Sequence, residues 1–227
     1  MNDCLFFGSN QNPILIKNKP NKITKPIQFK FKNENENEKQ IKQISTGGFS
    51  TIFLFKNGKA IEYLKENYSN QKPEKIQIKN IQKVTVGFDN ETILTIEGNV
   101  FAKGRDINPD NPNKFINISS LIEDTNDRII QDIVSGRNSI YLLTSNQNAH
   151  GIGLNHYGQF GFDSVTLEKT EKPILMMKNV SKIFSGNTSS HLFLLNSNQE
   201  LFGCGNNENR QLGLGESRKE RKIKIKN

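Results

Sequence analysis

The sequence is poor in cysteine and in long apolar segments, and it contains no tryptophan. Its two cysteines, Cys4 and Cys204, form no CxxC pair, which argues against a disulfide framework and against a zinc module. No run of about 18 apolar residues occurs, so the sequence predicts no membrane-spanning helix. The N-terminal MNDCLFFGSN lacks a basic segment and a long apolar stretch. We therefore expect a cytoplasmic or nuclear protein that is not secreted.

Patterns for catalysis and for cofactor binding are also scarce. The three histidines belong to no HExxH motif, and spacing reveals no Ser–His–Asp or Cys–His arrangement around them. The glycines form no Walker sequence and no GxGxxG that opens a helix, so nucleotide binding is not predicted. We expect a protein without cofactor, metal or catalytic residues, which acts by binding.

Lysine and asparagine are abundant, and the formal net charge is +8 over 227 residues. This charge is compatible with nucleic acid or an acidic protein face as a partner. A general bias towards lysine explains the same charge, however. The lysines form no dense basic stripe with interleaved aromatic residues, so chromatin or nucleic acid is the weaker alternative.

One short pattern recurs four times: Ile or Val, two residues, Ile or Val, two residues, then Gly. The copies are IKQISTG, IQKVTVG, IQDIVSG and VSKIFSG, which end at Gly47, Gly87, Gly136 and Gly186. By subtraction, successive glycines lie 40, 49 and 50 residues apart. A spacing this regular predicts a repeat protein.

Each copy is followed by an apolar strand such as STIFLF (50–55), a turn such as KNG (56–58), and a further strand. That further strand ends in glycine in three repeats, at Gly104, Gly153 and Gly205, whereas AIEYL (60–64) lacks its glycine. A strand of alternating apolar residues precedes each copy and is predicted to form a sheet edge. Four short strands per roughly 50 residues, without helical periodicity, predict an all-β propeller of four-stranded antiparallel blades.

Two loops carry a second motif, GLNHYGQFGF (153–162) and GNNENRQLGLG (205–215). Together with the Ile/Val–Gly strands, they resemble the repeat of the regulator of chromosome condensation family, in which an Asn-bearing turn precedes Gly-Gln-Leu-Gly. The matching residues are Gly158, Gln159, Phe160 and Gly161 in the first loop and Gln211, Leu212 and Gly213 in the second. Arg210 stands where the motif has its first glycine.

The resemblance covers nearly the whole chain and implies a propeller that typically has seven blades. It implies a non-enzymatic scaffold or regulatory module that binds a protein partner. Two alternatives stay open: nucleotide exchange on a Ran-type small GTPase, and chromatin binding.

The repeats divide a single domain of residues 1–227 into units of about 1–60, 61–101, 102–149 and 150–201, with a partial unit at 202–227. The terminal KIKIKN (222–227) overlays KIQIKN (75–80), so we expect it to be the edge strand of a fifth repeat. The neighbouring RKERK (218–222) is an alternative nuclear signal. Four repeats and a fraction suggest a piece of a longer gene product, a smaller or open propeller, or a chain that needs further repeats or a second chain to close the ring.

The loops of a propeller carry its recognition surface, so we searched them for interface residues. Tyr157 is the best anchor, because it is an aromatic flanked by hydrogen-bonding residues; the alternative is that it packs over a neighbouring blade. The predicted protein-binding residues are Asn155, His156, Tyr157, Gln159, Asn206 and Asn207. The glycines predicted to be structural are Gly47, Gly87, Gly104, Gly136, Gly153, Gly158, Gly161, Gly186, Gly205 and Gly213.

Overall fold

A computed structural model describes residues 40–64, 74–162 and 167–213 in full, and three further strands by their backbone alone. Those three strands are β1 (Cys4–Ser9), β2 (Lys22–Phe29) and β18 (Glu220–Ile225). The only helical elements in the described residues are two single 3-10 turns, at Ser119–Leu121 and Thr125–Asp127. None of the described helices is long and apolar enough to cross a membrane.

Four antiparallel sheets of four strands each follow one another along the chain, and we call them blades 1 to 4. Blade 1 consists of β3 (Ile41–Thr46), β4 (Ser50–Phe55), β5 (Ala60–Leu64) and β6 (Glu74–Lys75). Blade 2 consists of β7 (Ile81–Val86), β8 (Asn90–Thr95), β9 (Val100–Gly104) and β10 (Ile116–Asn117). Blade 3 consists of β11 (Ile130–Ser135), β12 (Ser139–Thr144), β13 (Ala149–Leu154) and β14 (Lys169–Met177). Blade 4 consists of β15 (Val180–Phe184), β16 (His191–Asn196), β17 (Leu201–Gly205) and β18.

The prediction of four-stranded antiparallel blades is therefore confirmed. In every blade the strand with the Ile/Val–Gly pattern is the first strand and pairs with the apolar strand that follows it, as in the Ile44–Phe53 and Ile133–Leu142 pairs. Strands β4, β8 and β12 are buried along their whole length. A strand that lies between two partners within its sheet and faces neighbouring sheets has no solvated side, and this explains its continuous apolar sequence.

The alternating strands do form sheet edges, but each belongs to the preceding blade. Strand β6 pairs with β5 through Ile61 and Lys75, and β18 pairs with β17 through Gly203 and Ile223. The prediction that the C-terminal segment is the edge strand of a fifth repeat is therefore wrong: residues 220–225 complete blade 4. Without a fourth strand, the backbone N–H and C=O groups on the outer edge of the third strand would have no partner. The chain returns antiparallel along this edge and pairs with it before the next blade begins.

The remaining two strands, β1 and β2, form a two-stranded antiparallel sheet with Phe6 opposite Ile27. This is the pairing that the third and fourth strands of the blades show. The described fold thus has a two-stranded sheet at the beginning of the chain in addition to the four blades.

The hydrophobic core lies between neighbouring blades. One cluster joins blades 1 and 2, a second joins blades 2 and 3, and a third joins blades 3 and 4. Members of these clusters with no exposed surface include Leu54, Val84, Ile93, Leu94, Ile133, Ile140, Leu192 and Leu194. Each blade buries its apolar faces against the next one, which is the stacking that a repeat architecture requires.

The glycine of the Ile/Val–Gly pattern stands where the loops of successive blades nest against one another. A Cβ atom on Gly47 would lie 1.8 Å from the carbonyl oxygen of Gly87, and one on Gly87 would lie 2.2 Å from that of Gly136. The amide of Gly48 donates to the Gly87 oxygen at 3.1 Å across this junction. The repeated glycine therefore reflects an approach between backbones that leaves no room for a side chain.

The two ends of the strands form two different faces. We call rim face the end that carries the loops between first and second strands (47–49, 87–89, 136–138 and 185–190) together with loops 154–162 and 206–213. We call turn face the opposite end, which carries the turns between second and third strands. Gly58 and Gly98 adopt positive φ there, at 77° and 81°, as the predicted hairpins require, and Gln147 and Gln199 occupy the same conformation in blades 3 and 4.

Candidate protein-binding face

Loop 154–162 is held by the side chains of its own motif. The Oδ1 atom of Asn155 accepts from the Phe160 amide at 2.9 Å, and its Nδ2 donates to the Leu167 carbonyl at 2.7 Å. Gln159 accepts from the Tyr157 amide at 3.0 Å and donates to the carbonyl of Leu154 at 2.7 Å. These bonds fold the loop back so that Phe160 packs, fully buried, edge-on against Tyr141.

Loop 206–213 repeats this arrangement. Asn207 accepts from the Leu212 amide at 2.9 Å, and Gln211 accepts from the Asn209 amide at 2.9 Å. Arg210 adopts φ of 60°, close to the 69° of Gly158 at the same place in the first loop. The loop therefore keeps its shape although Arg replaces the glycine, and Arg210 carries the strain of a left-handed conformation.

The six predicted protein-binding residues fall into two groups. Asn155, Gln159 and Asn207 are buried, and their side chains bond to the backbone of their own loops. The other three, His156, Tyr157 and Asn206, reach the surface of the rim face. A binding role stays a prediction for all six, and the geometry favours the second group as the side chains that a partner could reach.

The loops of the four blades form one continuous strip across the rim face. The Phe88 amide donates to the carbonyl of Arg137, and the Arg137 amide donates to that of Ser189, both at 2.9 Å. Nδ2 of Asn187 donates to the Thr46 carbonyl at 2.9 Å, so blade 4 also contacts blade 1. Because each loop is bonded to the next, the side chains on this strip are held in fixed relative positions.

Two aromatic rings and a cationic side chain lie next to one another on the strip. The rings of Phe49 and Phe88 meet edge-on with centroids 5.0 Å apart, and the guanidinium of Arg137 lies 5.2 Å from the centre of the Phe88 ring. Beyond Arg137, a cleft of about 260 Å³ is bordered by His156 and Tyr157. Nε2 of His156 lies 3.2 Å from Oε1 of Glu168, an exposed pair that contributes little to stability.

Three charged residues lie buried between blades 1 and 2, next to the strip. Lys103 donates to both carboxylate oxygens of Glu62, at 2.7 and 2.8 Å, and its Nζ lies 3.3 Å from Oε2 of Glu91. Burial and the nearby charge of Glu62 raise the pKa of Glu91 to about 8, and the attraction of Lys103 offsets only part of this rise. The ring of Phe115 covers the Lys103 ammonium at 4.8 Å. The sequence did signal this group, since each charge interrupts an apolar strand, but no spacing rule connects the three.

The buried carboxylate of Asp127 links two parts of the fold. It lies in the segment between blades 2 and 3 and binds side chains of blade 3. Asp127 accepts from Nδ2 of Asn148 at 2.8 Å and from Nε2 of His150 at 3.0 Å. Burial alone would raise the pKa of Asp127, but the hydrogen bonds from Asn148, His150 and Asn146 outweigh it and hold that pKa below its usual value. No group of three or more potential metal ligands occurs within the described ranges. His150 therefore serves in the fold as a hydrogen-bond partner of Asp127.

No protein-family model matches the chain. Among curated proteins it is similar to the serine/threonine-protein kinase Nek9 of Xenopus laevis, with 25% identity over 149 residues, and to Nek9 of Mus musculus, with 26% over 158 residues. Each match takes in 63% of this chain but only 16% and 15% of those proteins, so the chain spans less than a fifth of their length.

Solved structures share the fold over the whole chain. The crystal structure of Prp20p from Saccharomyces cerevisiae, described with its binding properties to Gsp1p and histones, superposes with a TM-score of 0.77 at 14% identity, covering 99% of this chain and 59% of that one. Human WBSCR16 superposes with a TM-score of 0.70 at 13% identity, covering 100% and 67%. Yeast RCC1 (Prp20) in its complex with Kap60 superposes with a TM-score of 0.72 at 19% identity, covering 99% of this chain and 60% of that one. The chain therefore has the blade fold of the regulator of chromosome condensation propellers, and its two loop motifs resemble their repeat.

Proposed function

We propose that the chain is a non-enzymatic protein-interaction module that binds a protein partner through its rim face. The observation that carries this proposal is the strip of aromatic and cationic side chains on hydrogen-bonded loops. Tyr and Arg are enriched among residues that dominate binding energy, and the strip presents both at Tyr157 and Arg137. Loops that are already fixed lose little conformational entropy on binding, which favours affinity.

Affinity capture from extracts of the cells that make the protein tests this proposal. A rim variant, Arg137→Glu with Tyr157→Ala, should bind the partner at least about ten-fold more weakly than the unmodified chain does. This corresponds to a loss of about 1.4 kcal/mol of binding free energy. The matched control, Asn57→Ala with Asn198→Ala, changes exposed residues of the turn face and should retain it. Thermal unfolding of both variants verifies that each is folded. Retention by the rim variant together with loss by the turn variant would place the interface on the other face.

A second candidate function is nucleotide exchange on a Ran-type small GTPase. Its support is the fold likeness to Prp20p, whose structure is described with binding to Gsp1p and histones. Release of a fluorescent guanine nucleotide from a panel of small GTPases tests it, and failure to accelerate any of them removes this candidate. Chromatin binding, the third candidate, predicts affinity for nucleosomes that falls steeply with salt concentration.

A further inference from the structure

A cleft of about 210 Å³ opens on the rim face between blades 1 and 2. Phe49 and Phe88 border it on the side of the strip, and Asn113 borders it in the connection after β9. Its buried lining includes Glu91 and Lys103, whose exposed fractions are 6% and 5%. Sites for drug-sized ligands usually measure about 300–1,000 Å³, so this cleft has the size for a single side chain.

At the buried end of the cleft, the two carboxylates share a single ammonium group unequally. Glu62 takes two hydrogen bonds from Lys103, whereas Oε2 of Glu91 has no hydrogen-bond partner among the described residues, although the ammonium lies 3.3 Å away. Asp89 and Arg105, the other charged residues of the lining, face each other at 3.5 Å. When Glu91 is ionised, the group is one positive charge short, and a buried carboxylate without a full partner is costly.

The aromatic border of the cleft also suits a cation. The Phe88 ring already holds the Arg137 guanidinium at 5.2 Å on the strip, and the Phe49 ring stands next to it. A cation above such rings is attracted by their quadrupole, and it also finds an apolar surface for its aliphatic stem.

We propose that this cleft receives the cationic side chain of a lysine or arginine, which passes beside the touching Phe49 and Phe88 rings and binds Oε2 of Glu91. On binding, the cation takes the place of the proton on Glu91, and that proton passes to solvent. The pKa of Glu91 near 8 supports this exchange, because the carboxyl group holds its proton at neutral pH until a second cation joins Lys103 beside it. That the side chain belongs to a protein partner rests on the proposed function, whereas the binding of the cation does not.

The test uses the full chain and two small probes, N-acetyl-lysine amide and its uncharged counterpart N-acetyl-norleucine amide. Titration followed by NMR should give saturable shifts of the Phe88 and Gly104 amides with the lysine probe only. Between pH 6.5 and pH 8.5 the affinity should rise by up to about ten-fold per pH unit, since proton and cation compete for Glu91. Glu62 and Lys103 lie against this carboxylate, and Asp89 and Arg105 line the same cleft, so the pH series is repeated on the variants below.

The substitution Glu91→Gln should weaken binding of the lysine probe at least ten-fold and abolish its pH dependence. It should leave the protein folded, because an amide resembles the protonated carboxyl group in size. Glu97→Gln, which changes an exposed carboxylate on the turn face, is the matched control and should leave binding unchanged. Equal affinity for the two probes, or full binding by the Glu91→Gln variant, overturns the inference.

The probe experiment and the capture experiment fail separately. Binding of the lysine probe while the rim variant retains its partner contradicts only the proposed function. Loss of the partner by the rim variant while the probe fails to bind contradicts only this inference.

Discussion

Replacement of Lys103 by Ala is expected to lower the free energy of unfolding by about 3–5 kcal/mol, because removing one partner of a buried ion pair leaves uncompensated charge. Glu62 is 2% exposed and takes both of its short contacts from this ammonium. Without it, Glu62 is left as a buried carboxylate with no cation to compensate its charge. Urea unfolding followed by circular dichroism measures the loss.

Two controls separate this effect from a general loss of lysine. Lys83→Ala removes a 2.6 Å pair with Asp132 whose side chains are 32% and 37% exposed, so it should cost at most about 1 kcal/mol. The double change Lys103→Met with Glu62→Gln removes both charges of the tight pair and should recover most of the loss. A Lys103→Ala variant no less stable than Lys83→Ala would contradict the buried ion pair.

Replacement of Gly87 by Ala is expected to cost about 3 kcal/mol or more, at or above the upper end of the usual range for overpacking. The added methyl group would lie 2.2 Å from the carbonyl oxygen of Gly136 and 2.5 Å from Nδ2 of Asn90. The first obstacle is backbone of the next blade, so a change of rotamer cannot relieve it and the two blades must separate.

Gly213→Ala is the matched control. Gly213 has φ of 72° but no atom within 4 Å of an added Cβ, so the substitution introduces backbone strain alone, about 1–2 kcal/mol. The difference between the two unfolding midpoints isolates the contact between blades. Equal losses would mean that the repeated glycine serves its own loop rather than the nesting of neighbouring blades.

The blade fold could be predicted from the sequence because the constraint behind it recurs in every blade. Gly47, Gly87 and Gly136 each face backbone or loop atoms of the next blade, so the same residue is required at each junction. The blade to which an alternating strand belongs could not be predicted in this way. Such a strand exposes the same apolar face whichever neighbour it pairs with, and only the completed sheets show that β6 and β18 return to the strand before them.

The candidate site was predicted only in part, because polar residue types do not reveal what they bind. Asn155 and Tyr157 both look like interface residues in the sequence, yet Asn155 is buried and bonds to its own loop. Glu62, Glu91 and Lys103 come from three strands of two blades, and nothing in their separation along the chain predicts that they meet. A charge within an apolar strand is the signal that would identify them.

Site-specific photo-crosslinking tests the central claim most directly, namely that the rim face is the protein-binding face. A photoreactive phenylalanine derivative is placed at Tyr157 on the rim face or at Asn198 on the turn face, and both proteins are irradiated in extracts of the cells that make the protein. We expect a discrete crosslinked partner from position 157 that unmodified protein in excess suppresses, and none from position 198. A suppressible partner from position 198 alone would contradict the assignment of the binding face.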